Sequence, residues 1–136
     1  MIDQLSLTFY GGAGTVTGSK TLLSFNGHKV LVDCGLFQGI KRLREQNWDD
    51  VPDASQISDV ILTHAHLDHC GYLPRLVKQG FKGQIHCTPI TKRITEIILL
   101  DSAKIQEEDA ERANRKAYSK HNPARPLYDT DDVKQC

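Results

Sequence analysis

The feature that most limits what this chain can fold into is a dense group of histidines directly after a short apolar run. The segment Ile61-Leu-Thr-His-Ala-His-Leu-Asp-His-Cys-Gly71 places His64, His66, Asp68 and His69 within six consecutive residues. The chain has 6 histidines among 136 residues, and at this composition the HxHxDH spacing arises by chance in roughly one chain in a thousand. Four solvated residues of an ordinary loop are therefore a poor explanation.

Metal binding is the interpretation that uses all four side chains. Imidazole and carboxylate groups are donors that suit zinc and similar ions. In an extended segment His64 and His66 point to the same side and can hold one ion, while Asp68 and His69, at the turn into a helix, can reach a second. Two ions ~3.5–4 Å apart are the usual apparatus for displacement at phosphorus or attack on an acyl carbon. A thiol nucleophile at Cys70 beside His69 is the alternative.

Alternating and apolar runs predict five β-strands, separated by turn residues. The Asn26-Gly27 pair predicts a tight hairpin between the second strand and the third. The fourth run is almost wholly apolar, which is typical of a strand covered on both faces. The predicted strands are 5–10, 20–25, 29–32, 59–63 and 83–88.

Three helices are predicted: a short one near 41–46, a second over 71–79, and a long one beginning at Pro89. The long helix carries an apolar stripe at 3.6-residue spacing, formed by Ile90, Ile94, Ile97, Ile98 and Ala103. From Gln106 the chain is highly charged, so we expect any continuation to be solvated. Residues 128–133 resemble the start of another helix with Thr130 as its cap, but too little chain follows for that helix to form.

Composition excludes several classes of protein. Lysine plus arginine and aspartate plus glutamate both number 17, so an acidic partner must be held by a local basic patch. We expect no signal peptide and no membrane span, because no apolar run approaches ~20 residues. The four cysteines form no CxxC pair, which predicts free thiols and a cytoplasmic protein.

The run Thr63–Gly71 resembles the signature of the metallo-β-lactamase fold superfamily. Further segments resemble its β-CASP branch, whose members process RNA or DNA, and the prokaryotic RNA-degrading type most strongly. These segments are Gly11–Ser19 with Leu22-Leu23, Val32–Gly39, Gly71–Phe81 and Ile98–Asp109. The resemblance covers the whole chain.

The resemblance implies an α/β fold that is the N-terminal half of an αββα sandwich, with one mixed β-sheet and flanking helices. Residues 1–136 would form the N-terminal part of a metallo-β-lactamase domain, without the β-CASP insert and the C-terminal half. Such a half-sandwich leaves an apolar sheet face without its partner, which favours self-association or binding to a missing portion.

The resemblance also assigns roles to residues. His64 and His66 would bind the first zinc ion, and Asp68 and His69 the second, with manganese as a possible replacement. Asp68 and His69 are the expected catalytic residues, and Asp68 would position the attacking water. Asp33 would orient a metal ligand without binding metal itself, and a plain turn residue is the alternative for it.

The expected reaction is cleavage of phosphodiester bonds in single-stranded RNA by a zinc-activated water, as an exonuclease or an endonuclease. Ser19 and Lys20, next to the glycine-rich loop 11–18, are candidates for touching substrate. We interpret the loop as packing of the site wall, and a phosphate contact is the alternative. A basic region beside the site either steers a phosphodiester or is an ordinary solvated face; it comprises Arg75, Lys78, Lys82, Lys92 and Arg93.

Two alternatives to the ribonuclease remain. One is a thioester or lactam hydrolase that uses the same metal loop, and the other is an inactive module that only binds a partner. Two ions would share four donors, about two each, and catalytic zinc normally has three protein ligands. We therefore expect this chain alone to bind zinc weakly and to cleave RNA negligibly compared with any longer form. His28, His86 and His121 receive no ligand assignment.

Overall fold

A five-stranded mixed β-sheet organises the computed structural model, which describes residues 4–117 and 123–136. The strands are β1 (Ser6–Gly11), β2 (Lys20–Phe25), β3 (His28–Val32), β4 (Asp59–Ile61) and β5 (Gln84–His86). Their order in the sheet follows the chain. The first three strands are antiparallel, whereas β4 runs parallel to both β3 and β5. The predicted mixed sheet is confirmed, with the fourth and fifth strands shorter than predicted.

The helices lie between and after the parallel strands. They are α1 (Lys41–Glu45), α2 (Leu67–Cys70), α3 (Leu73–Lys78), α4 (Pro89–Lys116) and α5 (Thr130–Gln135). Short 3₁₀ turns at Gln46–Trp48 and Ala54–Gln56 connect α1 to β4. No helix in the described ranges combines the length and the apolar character that crossing a membrane demands.

The hydrophobic core lies on one face of the sheet, under the helices. Alternate strand residues point to opposite faces, and Leu22, Leu31 and Val60 on adjacent strands are at most 6% exposed. The helices contribute buried residues that include Leu73, Leu76, Leu99 and Ala103. This packing fixes the edge of the sheet from which the histidine-rich segment emerges.

The opposite face of the sheet is apolar and open among the described residues. Leu7 and Phe9 on β1 are 55% and 57% exposed, and Leu7 pairs with Leu23, which in turn pairs with Val30. The prediction that the fourth strand is covered on both faces is wrong, because Ile61 is 43% exposed. Its apolar sequence reflects the open face as well as the core.

Helix α4 confirms the predicted apolar stripe only in part: Ile98 and Ala103 pack on the core, whereas the other isoleucines of the stripe are exposed. Ile90 and Ile97 are 71% and 69% exposed, whereas the buried positions are Thr95, Leu99, Ser102, Ala103, Ala110 and Ala113. Polar contacts accompany this packing, since the Ser102 hydroxyl lies 3.0 Å from the Tyr128 hydroxyl. The charged continuation is helical to Lys116 and is solvated only in part.

Helix α5 corrects the expectation that no helix forms near the end of the chain. Its N-cap is Asp129 rather than Thr130: the Asp129 carboxylate accepts a hydrogen bond from the Asp132 N–H at 2.8 Å. The Asp132 carboxylate accepts from the Asp129 N–H at 2.9 Å and from Lys78 of α3, also at 2.9 Å. This reciprocal cap satisfies two N–H groups that a helix terminus otherwise leaves free, which is why so short a helix forms.

The four cysteines are free, which confirms the prediction of unpaired thiols. Burial raises the pKa of the Cys34 thiol to about 12 and that of the Cys70 thiol to about 11. A reactive cysteine needs a thiolate, so the structure argues against Cys70 as a nucleophile.

Candidate metal centre

Two parallel strands end side by side and bring the acidic and histidine-rich segments together. Asp33 follows β3, and the segment from Leu62 follows β4. The Asp33 N–H donates to the Ile61 carbonyl at 2.8 Å, and the Cys34 N–H donates to the His69 carbonyl, also at 2.8 Å. In open α/β sheets, sites form outside the carboxyl ends of the strands, and this site lies at that edge.

The four residues predicted as metal ligands lie together around the start of α2. His66 is the N-cap residue of this helix, and Asp68 and His69 lie within it. The ring centre of His64 is 4.7 Å from that of His66 and 4.1 Å from that of His69. The Nε2 atom of His69 is 3.5 Å from a carboxylate oxygen of Asp68. The local spacing of the sequence thus becomes one cluster of three imidazoles and a carboxylate.

Asp33 supports this cluster from beneath and is only 4% exposed. Its carboxylate accepts hydrogen bonds from the Thr63 N–H, the Thr63 hydroxyl and His69 Nδ1, each at 2.8 Å. Its backbone φ is +60°, a left-handed conformation that aspartate tolerates better than most residues. Because the carboxylate contacts a predicted ligand directly, Asp33 is more than a turn residue.

Glycines allow the surrounding backbones to approach closely. A Cβ atom at Gly35 would collide with the backbone carbonyl of Asp68, and one at Gly18 would collide with the Phe37 ring. The Ser19 N–H donates to the same Asp68 carbonyl at 3.0 Å. These contacts support the interpretation of the glycine-rich loop as a packed wall of the site.

Lys20 lies inside the protein, next to two aromatic rings. It is 3% exposed, and its Nζ atom is 4.5 Å from the ring centres of both Phe37 and Tyr72. Burial lowers the pKa of Lys20 to about 8. A direct contact with substrate would require the ammonium group to leave these two rings.

The predicted basic region divides into paired and exposed residues. Arg75 lies 3.4 Å from Asp50, and Lys78 lies 2.9 Å from Asp132. Lys82, Lys92 and Arg93 are exposed. The two paired residues have local structural partners, which favours a solvated face for that part of the region.

The remaining histidines lie apart from the cluster or outside the described residues. His86 on β5 places Nε2 2.7 Å from a carboxylate oxygen of Asp59 on β4, a cross-strand pair that the sequence did not reveal because 27 residues separate them. His28 lies exposed at the start of β3. His121 lies outside the described residues.

The donor set fits zinc in its chemistry, and the hydrogen bonds to Asp33 hold one imidazole in place. As the side chains stand, no group of three His, Cys, Asp or Glu donors within 4–117 and 123–136 converges to the spacing of a metal site. The rings of His64, His66 and His69 instead pack against one another.

Comparison with known proteins gives a consistent family. The pattern of the metallo-beta-lactamase superfamily matches residues 14–133. The chain is 42% identical over 102 residues to Ribonuclease TTHA0252 of Thermus thermophilus, covering 73% of this chain and 23% of that protein. It is 41% identical to the transcription termination factor FttA of Cenarchaeum symbiosum, covering 76% of this chain and 16% of that protein.

Two further proteins are similar to the chain. The chain is 38% identical to cleavage and polyadenylation specificity factor 73 of Drosophila melanogaster, covering 80% of this chain and 16% of that protein. Among solved structures, the short form of human tRNase Z matches with a TM-score of 0.45 and 22% identity, covering 74% of this chain and 40% of that one. The chain thus spans less than a quarter of the length of the three curated relatives.

Proposed function

Because this chain belongs to the metallo-beta-lactamase superfamily, we propose that it carries the metal-binding loop of a hydrolase that cleaves RNA phosphodiester bonds. The observation that carries the proposal is the cluster of three imidazoles and one carboxylate, held against the buried carboxylate of Asp33. The names of the relatives, a ribonuclease and a cleavage factor among them, support RNA as the substrate.

The proposed ligands are His64 and His66 for one ion, and Asp68 and His69 for a second. Zinc suits this mixed imidazole and carboxylate set, and manganese is the alternative. A bound ion would supply Lewis-acid chemistry at the phosphodiester. The chain's own residues do the positioning, because Asp33 holds His69 by its Nδ1 atom and Nε2 is left on the side of Asp68, 3.5 Å from its carboxylate.

Asp68 is the proposed acid–base group of the centre, with His69 beside it. Its side chain is 24% exposed, so it can exchange a proton with water and with a substrate. One of its carboxylate oxygens lies 3.5 Å from His69 Nε2, which places the proton acceptor next to a second proposed ligand. In this arrangement Asp68 orients the attacking water and accepts its proton.

We further propose that the substrate is single-stranded RNA, that the protein acts in the cytoplasm, and that residues 1–136 are the N-terminal part of a metallo-β-lactamase domain. Two ions on four donors would each have about two protein ligands, fewer than the three usual at catalytic zinc. The 136-residue chain should therefore bind zinc weakly and cleave RNA far more slowly than any longer form.

The test is a zinc titration followed by a single-turnover assay on single-stranded RNA with zinc or manganese. The wild-type chain is compared with a His64→Ala, His66→Ala variant. His28→Ala is the matched control, because His28 is exposed and begins β3, at the opposite end of that strand from Asp33. We expect zinc binding and slow metal-dependent cleavage by the wild type and the control, and neither by the double variant.

Two results would contradict the proposal. Equal zinc binding by the wild type and the double variant would show that these histidines are not ligands. Metal-dependent turnover of a thioester or a β-lactam without RNA cleavage would favour the alternative hydrolase.

A binding module without catalysis is the second candidate, and the open apolar face of the sheet favours it. Leu7 and Phe9 are more than half exposed there. Self-association of the chain together with a complete lack of turnover would support this candidate.

A further inference from the structure

Thr63 occupies the position between the buried carboxylate and the first proposed ligand. It lies two residues beyond the end of β4. Its N–H is 2.8 Å from Oδ1 of Asp33, and its hydroxyl oxygen is 2.8 Å from Oδ2. The same hydroxyl oxygen is 2.9 Å from Nδ1 of His64. One side chain therefore bridges Asp33 and His64.

The proton positions in this bridge follow from counting donors. An ionised carboxylate only accepts hydrogen bonds, and a hydroxyl has a single proton to donate. The Thr63 hydroxyl gives its proton to Asp33, so toward His64 it can only accept. The proton of the neutral His64 imidazole must then sit on Nδ1, which leaves the lone pair of Nε2 available.

We propose that Thr63 is a positioning residue that fixes the tautomer of His64, so that Nε2 is the atom offered to the metal. This role rests on the proposed function of the loop as a metal centre. Asp33 fixes His69 in the same way by a direct contact at 2.8 Å. One buried carboxylate thus orients two imidazoles, one directly and one through a hydroxyl.

We call the hydrogen-bonded chain from Asp33 through Thr63 to His64, together with the direct contact of Asp33 with His69, the relay. It matters because the two ring nitrogens of a histidine are not equivalent as ligands. A neutral imidazole binds metal only through the nitrogen that lacks a proton, and groups that fix the tautomer typically change metal affinity 10–100-fold. His66 has no such bridge among the hydrogen bonds of the described residues. The relay therefore distinguishes His64 and His69 from His66.

The first experiment observes the tautomers in the metal-free protein. Long-range ¹H–¹⁵N correlation spectra are recorded on protein labelled with ¹⁵N-histidine, at a pH where the imidazoles are neutral. In the wild type we expect His64 and His69 to carry the proton on Nδ1. In Thr63→Val, His64 should lose this preference while His69 keeps it, and Thr63→Ser should match the wild type.

The second experiment is a titration with zinc alone. Thr63→Val should bind zinc roughly 10–100-fold more weakly, and Thr63→Ser should restore the affinity to within a few-fold. Thr8→Val is the matched control, because Thr8 is an exposed residue of β1 and should leave both readouts unchanged.

The proposal is overturned if wild-type His64 carries its proton on Nε2, or if Thr63→Val leaves the tautomer and the zinc affinity unchanged. The wild-type spectrum decides the first point even if Thr63→Val fails to fold. Because the spectra need neither metal nor RNA, a protein that shows the expected tautomers but cleaves no RNA would refute only the proposed function. A protein that cleaves RNA with a His64 tautomer independent of Thr63 would refute only the relay.

Discussion

Lys20 and Asp33 are both buried charged residues, but they are stabilised by different kinds of contact. Asp33 accepts three short hydrogen bonds, whereas the Lys20 ammonium faces the Phe37 and Tyr72 rings. Cation–π contacts of this kind offset part of the cost of desolvation. The remaining cost is visible as the lowered pKa of Lys20, about 8.

Removing the Lys20 charge should change how stability depends on pH. Below pH 8 the folded protein bears the full cost of a buried ammonium, and between pH 8 and 10.5 the folded state loses its proton before the unfolded state does. The free energy of unfolding of the wild type should therefore rise with pH relative to Lys20→Met, by up to about 3 kcal/mol at about 1.4 kcal/mol per pKa unit.

The measurement is denaturant unfolding of both proteins at pH 7.5 and pH 10. Lys41→Met, at an exposed position, controls for the loss of one positive charge. The prediction is contradicted if the free energy of unfolding of the wild type, relative to that of Lys20→Met, stays constant or falls between pH 7.5 and pH 10.

The sequence indicated those residues of the candidate site that are close together in the chain. His64, His66, Asp68 and His69 are readable because one turn after one strand brings them together. The bridge through Thr63 was not predicted, because Asp33 and Thr63 are 30 residues apart and meet only through parallel pairing of β3 and β4. The enclosure of Lys20 was missed for the same reason, since its two aromatic partners lie on other segments.

Helices α4 and α5 both depend on polar contacts that their hydrophobic patterns did not predict. The apolar stripe correctly predicted a long helix from Pro89, but only Ile98 and Ala103 of its members pack on the core. The small residues Ser102, Ala103, Ala110 and Ala113 are buried and allow neighbouring segments to pack closely on α4. The hydrophobic pattern alone does not indicate which of its apolar residues will face such a neighbour. In α5, the reciprocal hydrogen bonds of Asp129 and Asp132 stabilise a helix that the sequence analysis judged too short to form.

Removal of the α5 cap should destabilise the protein measurably. Asp129→Ala deprives the Asp132 N–H of its acceptor and should lower the free energy of unfolding by about 1 kcal/mol. Asp131→Ala is the matched control, because it removes the same charge from the same helical turn. Within the described part of the chain, the one polar contact of the Asp131 side chain is with Lys134 Nζ, at 3.3 Å. Chemical denaturation that gives equal losses for the two variants would show that charge, and not the cap, stabilises α5.

At the scale of the whole molecule, the sheet has one covered and one open face. The five strands and the tight hairpin between β2 and β3 follow from local patterns, whereas the mixed sheet was expected from the family resemblance. What covers the second face depends on contacts that the described residues do not make. Leu7, Phe9 and Ile61 together form an exposed apolar surface of the kind that marks an interaction site.

Charges on this surface should weaken any self-association of the chain. Leu7→Lys with Phe9→Lys places two charges on the open face, where burial of each wild-type side chain would contribute about 1.5–3 kcal/mol. The dissociation constant from sedimentation velocity should rise more than about tenfold. Ser6→Lys with Thr8→Lys adds the same charge to alternate positions of the same strand, and an equal effect of this control would attribute the change to net charge alone.

The proposed metal ligands are close together in the chain, whereas Asp33, which orients two of them, is distant in sequence, and this has a thermodynamic consequence. All four proposed ligands lie within residues 64–69, so the unfolded chain still contains a zinc-binding peptide. A ligand stabilises a fold only by the ratio of its affinities for the folded and unfolded states. That ratio here depends on Asp33, which is 36 residues from His69 in the chain and reaches it only after folding. Zinc should therefore raise the melting temperature less than its affinity suggests, and calorimetry of Asp33→Asn should show an even smaller zinc-dependent shift.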